Sequence, residues 1–161
     1  MSTLPSTLFV VSENSYEYND EYYSTPDCSS GQEPGIPKGI FQTKAAADAE
    51  LWKREVEAWR NGGVGSYVYE IREGELSGKK PGDSYYESYA KSDAEVREKQ
   101  RGFAEAVGIA DASTVVFGYE FELPDGLTDE QVKKISLLFG GPHFFNVFET
   151  NVVDESDPFR K

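Results

Sequence analysis

Residues 114–153, TVVFGYEFELPDGLTDEQVKKISLLFGGPHFFNVFETNVV, decide the fold class. Val115, Phe117, Tyr119, Phe121 and Leu123 alternate with Val116, Gly118, Glu120 and Glu122, a period of two that predicts a strand over 114–123. Pro124-Asp125-Gly126 turns the chain. Thr128-Asp129-Glu130-Gln131 then has the form of a capping box, in which the Thr128 side chain takes the Gln131 backbone N–H and the Gln131 side chain reaches back. A helix follows with Val132, Ile135, Leu138 and Phe139 inward, and Gly140-Gly141-Pro142 stops it. Residues 144–153 give the closing strand, so this stretch is a strand-helix-strand unit.

Upstream, a second such unit spans residues 8–72. Leu8-Phe9-Val10-Val11 starts it as a strand, and Tyr16 and Tyr18 alternating with polar residues before Asn19-Asp20 suggest a hairpin. Pro26, Pro34, Pro37, Gly31, Gly35 and Gly39 then predict a long loop over 24–40. Thr43 caps a helix with an inward stripe of Ala45, Ala49, Trp52, Val56 and Trp59, in which the two tryptophans stack, and Asn61-Gly62-Gly63 ends it. Tyr67, Tyr69 and Ile71 alternate with Val68 and Glu70 in a strand over 66–72. A second irregular segment covers 73–91, and Ser92-Asp93-Ala94-Glu95 reads as another capping box, opening a helix through Val96, Phe103 and Val107 to Gly108.

The expected class is α+β or α/β: a single mixed β-sheet of four to six strands with about three helices packed mainly on one face. A chain of 161 residues, 38% apolar, fits one globular domain over 1–161 with a short polar tail at 154–161. One cysteine, Cys28, closes no internal disulfide, and one histidine beside it supplies no four-ligand zinc site. The apolar runs fall short of the roughly 18 residues that cross a bilayer, and the N-terminus lacks a basic signal start, so a cytoplasmic setting without membrane contact is expected.

Charge carries the functional signal. Lys and Arg number 16 against 29 Asp and Glu, a net charge of -13. Residues 1–37 hold six acids and no Lys or Arg, and residues 38–101 hold twelve of each sign. Residues 102–161 hold eleven acids against Lys133, Lys134, Arg160 and Lys161. Such a chain repels DNA and RNA directly, yet its field attracts a basic protein surface.

Seven of the ten tyrosines lie among acids, four over 16–23 and three over 85–89, and tyrosine beside carboxylate suits a surface that meets Arg or Lys. The candidate partner-binding residues are therefore Glu13, Tyr16, Glu17, Tyr18, Asp20, Glu21, Tyr22 and Tyr23 with Tyr85, Tyr86 and Tyr89. They predict a non-catalytic interaction module of inhibitor or immunity type, occupying the nucleic-acid-binding surface of a basic partner.

No catalytic residue, metal site or cofactor is expected. No Gly-x-Ser-x-Gly elbow or phosphate-binding loop occurs, and the acid-flanked Cys28 is a poor nucleophile. Abundant neighbouring acids match no calcium loop. The alternative is a small enzyme or small-molecule-binding domain with a cleft between the Tyr22 and Tyr85 loops that uses His143, the single histidine.

Overall fold

The computed structural model describes residues 6–14, 34–62, 80–84, 86–117 and 121–152. The chain forms two compact units, one of residues 1–55 and 142–161 and one of residues 56–141.

The first unit holds an antiparallel sheet of β1 (Thr7–Asn14), β2 (Pro34–Phe41) and β3 (Phe145–Asn151) in the order β2-β1-β3. The chain is thus α+β, but its described residues contain three strands where four to six in a mixed sheet were expected. Both described pairings, β1 with β2 and β1 with β3, are antiparallel. β1 is the central strand, and its register with β3 is unbroken from Thr7 opposite Asn151 to Glu13 opposite Phe145. Val11 and Ser12 are both 0% exposed. Successive strand residues point to opposite faces, so both faces of the sheet are covered at its midpoint.

β2 corrects the expected loop over 24–40, whose last residues form a strand despite their prolines and glycines. Its place at the edge of the sheet formed by the described residues explains this. Pro lacks a ladder donor and is tolerated on edge strands and at bulges, and the β1–β2 register shifts on either side of Ser12, which faces Pro37. At Gly39 a Cβ would come within 2.8 Å of the Phe41 ring, so the missing side chain makes room for an aromatic one. The hairpin proposed around Tyr16 and Tyr18 and the strand over 66–72 lie outside the described residues.

Helix α1 (Lys44–Arg60) begins and ends as its sequence predicts. Thr43 Oγ1 accepts the Ala46 N–H at 3.2 Å, and Gly62 takes φ +96° just beyond the C-terminus. The buried face differs. Ala47, Leu51, Glu55, Val56 and Trp59 are buried, whereas Ala45 and Ala49 are exposed and Trp52 is half-buried. Alanines contribute little apolar area, so Leu51 and Trp59 set the helix rotation, and the two steps of four between them pass through Glu55.

In the second unit, helix α2 (Tyr86–Val107) starts six residues before the expected Ser92 cap. The Lys80–Asp83 turn leads into it: Asp83 Oδ2 accepts the Lys80 N–H at 2.8 Å, and the Tyr86 N–H donates to the Asp83 carbonyl at 3.1 Å. Ser92 and Glu95 consequently lie inside the helix, and Lys91 pairs with Glu95 one turn on at 3.9 Å. The helix ends at Gly108, φ +81°, with the Ile109 N–H donating to the Ala104 carbonyl in a Schellman closure.

Residues 114–123 were expected to be the strongest strand, and their described part is not one. Asp111 caps a 3-10 turn over Ala112–Thr114, and residues 115–117 and 121–123 are irregular. The Val115 carbonyl, which a ladder would use, instead accepts from Gln100 Nε2 at 2.8 Å. The alternation reflects burial without a ladder: Val115 is buried, Val116 is 81% exposed, and Phe117 and Phe121 turn inward. Phe103, Phe117 and Phe121 meet edge to face with centroids 5.3–5.8 Å apart. Phe117 continues the cluster to Phe139 at 5.3 Å, and Phe139 stacks on Trp59 at 6.2 Å.

Helix α3 (Asp129–Leu138) carries the predicted capping box, with the Gln131 N–H 3.3 Å from Thr128 Oγ1 and the Thr128 N–H 2.9 Å from Gln131 Oε1. Val132, Ile135 and Phe139 are buried as expected, and Leu138 is half-buried. Gly140, φ +85°, closes the helix while the Gly141 N–H donates to the Ser136 carbonyl at 2.8 Å.

Candidate functional site

A polar constellation of the first unit is built on Glu55, which is 0% exposed. Its Oε1 accepts the His143 N–H at 2.6 Å and its Oε2 accepts the Phe144 N–H at 2.9 Å. From the opposite side Asn14 Nδ2 donates to the His143 carbonyl at 2.6 Å, and the Asn14 N–H donates to the Phe144 carbonyl at 2.8 Å. The 143–144 backbone is therefore gripped by a carboxylate from α1 and an amide from the end of β1 immediately before β3 begins. Charge-assisted bonds of this kind compensate a buried carboxylate for its lost hydration. Both oxygens are engaged by backbone, so the arrangement orients a segment of chain. The half-buried His143 is held here through its backbone.

Sequence reasoning missed Glu55 because an acid within a helix defaults to the solvent face. The available signal was its position, four residues after Leu51 and four before Trp59.

The partner-binding candidates separate. Glu13 is exposed on β1 and pairs with Lys38 of β2 at 2.8 Å. Tyr16, Glu17, Tyr18, Asp20, Glu21, Tyr22, Tyr23 and Tyr85 lie outside the described residues, as does Cys28. Tyr86 is half-buried at the start of α2, and Tyr89 lies within that helix, so these two belong to a regular element and not to the irregular segment expected over 73–91.

A second acidic feature emerges from the fold. Residues 102–132 contain seven acids and no Lys or Arg. Glu120 lies outside the described residues, and the other six, Glu105, Asp111, Glu122, Asp125, Asp129 and Glu130, are all exposed in the second unit. Asp111 is used locally. Its carboxylate accepts the Ser113 hydroxyl at 2.6 Å and the Ser113 N–H at 3.0 Å, bonds that hold its pKa below the ordinary aspartate value. Asp129 and Glu130 occupy the first turn of α3, where the helix dipole favours negative charge. Arg60 bonds Asp129 at 2.7 Å and the Leu127 carbonyl at 2.8 Å, a solvent-screened pair contributing about 0–1 kcal/mol.

Among the described residues no group of three or more His, Cys, Asp and Glu is placed to hold a metal ion, and no helix is long and apolar enough to cross a membrane. No protein-family model, curated protein or solved structure matches the chain.

Proposed function

We propose that this protein is a non-catalytic acidic interaction module whose carboxylates occupy a basic surface of a partner protein, the kind of surface with which a nucleic-acid-binding enzyme meets phosphate. The observation that carries this reading is charge: a net -13, with all six described acids of the Lys- and Arg-free stretch 102–132 exposed. Asp111, Asp129 and Glu130 also have local roles in capping or at a helix terminus, but Glu105, Glu122 and Asp125 have no such role in the described contacts. Carboxylates presented to solvent reproduce the field of a phosphate chain, and a Lys/Arg groove binding them releases the counterions it would release with DNA. Inhibition of such an enzyme in the cytoplasm is the biological role this mode fits. The N-terminal set from Glu13 to Tyr23, with Tyr85, Tyr86 and Tyr89, supplies the further contact residues of the proposal.

The test is capture of basic proteins at low salt by the full chain, with elution along a salt gradient and competition by double-stranded DNA. Two neutralised variants accompany it, one carrying Glu122→Gln, Asp125→Asn and Glu130→Gln, the other Glu13→Gln, Glu17→Gln, Asp20→Asn and Glu21→Gln. The expected result is a Lys/Arg-rich nucleic-acid enzyme that is displaced by DNA, released by salt, and held at least tenfold more weakly by one or both variants. No basic partner at low salt, or capture indifferent to salt and to both variants, overturns the proposal and leaves the acidity as a solubility feature.

A further inference from the structure

We draw no further inference here: the strongest candidate, the Ile36 and Ile40 side chains of the edge strand β2, 65% and 64% exposed, carries nothing because nothing in the structure shows what covers them.

Discussion

Replacing Glu55 by Gln changes one oxygen of a fully buried carboxylate into an amide NH2 and preserves its shape. The wild-type side chain accepts from two consecutive backbone donors, His143 at 2.6 Å and Phe144 at 2.9 Å. The glutamine oxygen can satisfy one of them, and its NH2 then faces the other N–H, donor against donor. Losing a bond to a charged acceptor costs about 1.5–3 kcal/mol, and the stranded N–H keeps its desolvation penalty. Glu55→Gln should therefore destabilise the first unit by about 2–3 kcal/mol. Glu55→Leu separates the clamp from simple charge burial. Replacing a buried ion pair by an apolar side chain is often harmless, because both charges leave together. Here the partners are main-chain donors that stay behind, so Leu should cost at least as much as Gln. The assay is urea unfolding together with hydrogen exchange at the amides of residues 143 and 144, which should lose protection by a factor of about 30–160. A Leu variant as stable as wild type, with those two amides equally protected, would refute the reasoning.

Thr128→Ala removes one half of the α3 capping box and should cost about 1 kcal/mol in chemical denaturation; a change under 0.3 kcal/mol would mean that water replaces the cap fully. Gly141→Ala places a Cβ against Ser136 Oγ and 2.9 Å from the Ser136 carbonyl oxygen, so a loss of about 1–3 kcal/mol is expected. Adding Ser136→Ala should recover only part of that loss, since the backbone contact remains. Asp111 has its folded-state pKa depressed by Ser113, so the unfolded state binds more protons as acid is added. Its contribution is present above its unfolded value and lost as pH falls through the folded one. The stability gap between wild type and Asp111→Ala should accordingly be widest near neutral pH and close in acid, and a gap that widens in acid would contradict the assigned cap.

Elements whose signals are local were legible from sequence. Thr43 and Gly62 bracket α1, Thr128 and Gln131 open α3, and the apolar runs at 8–11 and 144–153 mark β1 and β3. Each depends on a side chain acting within a few residues of its own position. What escaped depends on distant partners. β2 is a strand because β1 offers it a ladder, and nothing in Pro-Gly-Ile-Pro announces that. Phe117 and Phe121 turn to the ring of Phe103, and the described residues beside them, 115–117 and 121–123, form no strand. Ser92-x-x-Glu95 resembles a cap, but the same spacing occurs inside a helix, and the turn at Asp83 leads the chain into α2 first. Of the candidate contact residues, Glu13, Tyr86 and Tyr89 lie on described elements, and the role of Glu55 was not legible because the N–H groups it accepts lie 88 and 89 residues away.

The pairing of β1 with β3 bears on how the chain assembles. Glu13 meets Phe145 across a separation of more than a hundred residues, and closing a loop of that length costs about 4 kcal/mol of chain entropy before any ladder bond forms. Residues 56–141 are contiguous, so the contacts internal to the second unit need no residue of β1 or β3. β1 is made before β3 and must wait for it, so the central strand cannot complete its pairing with β3 until every residue of the second unit has been made.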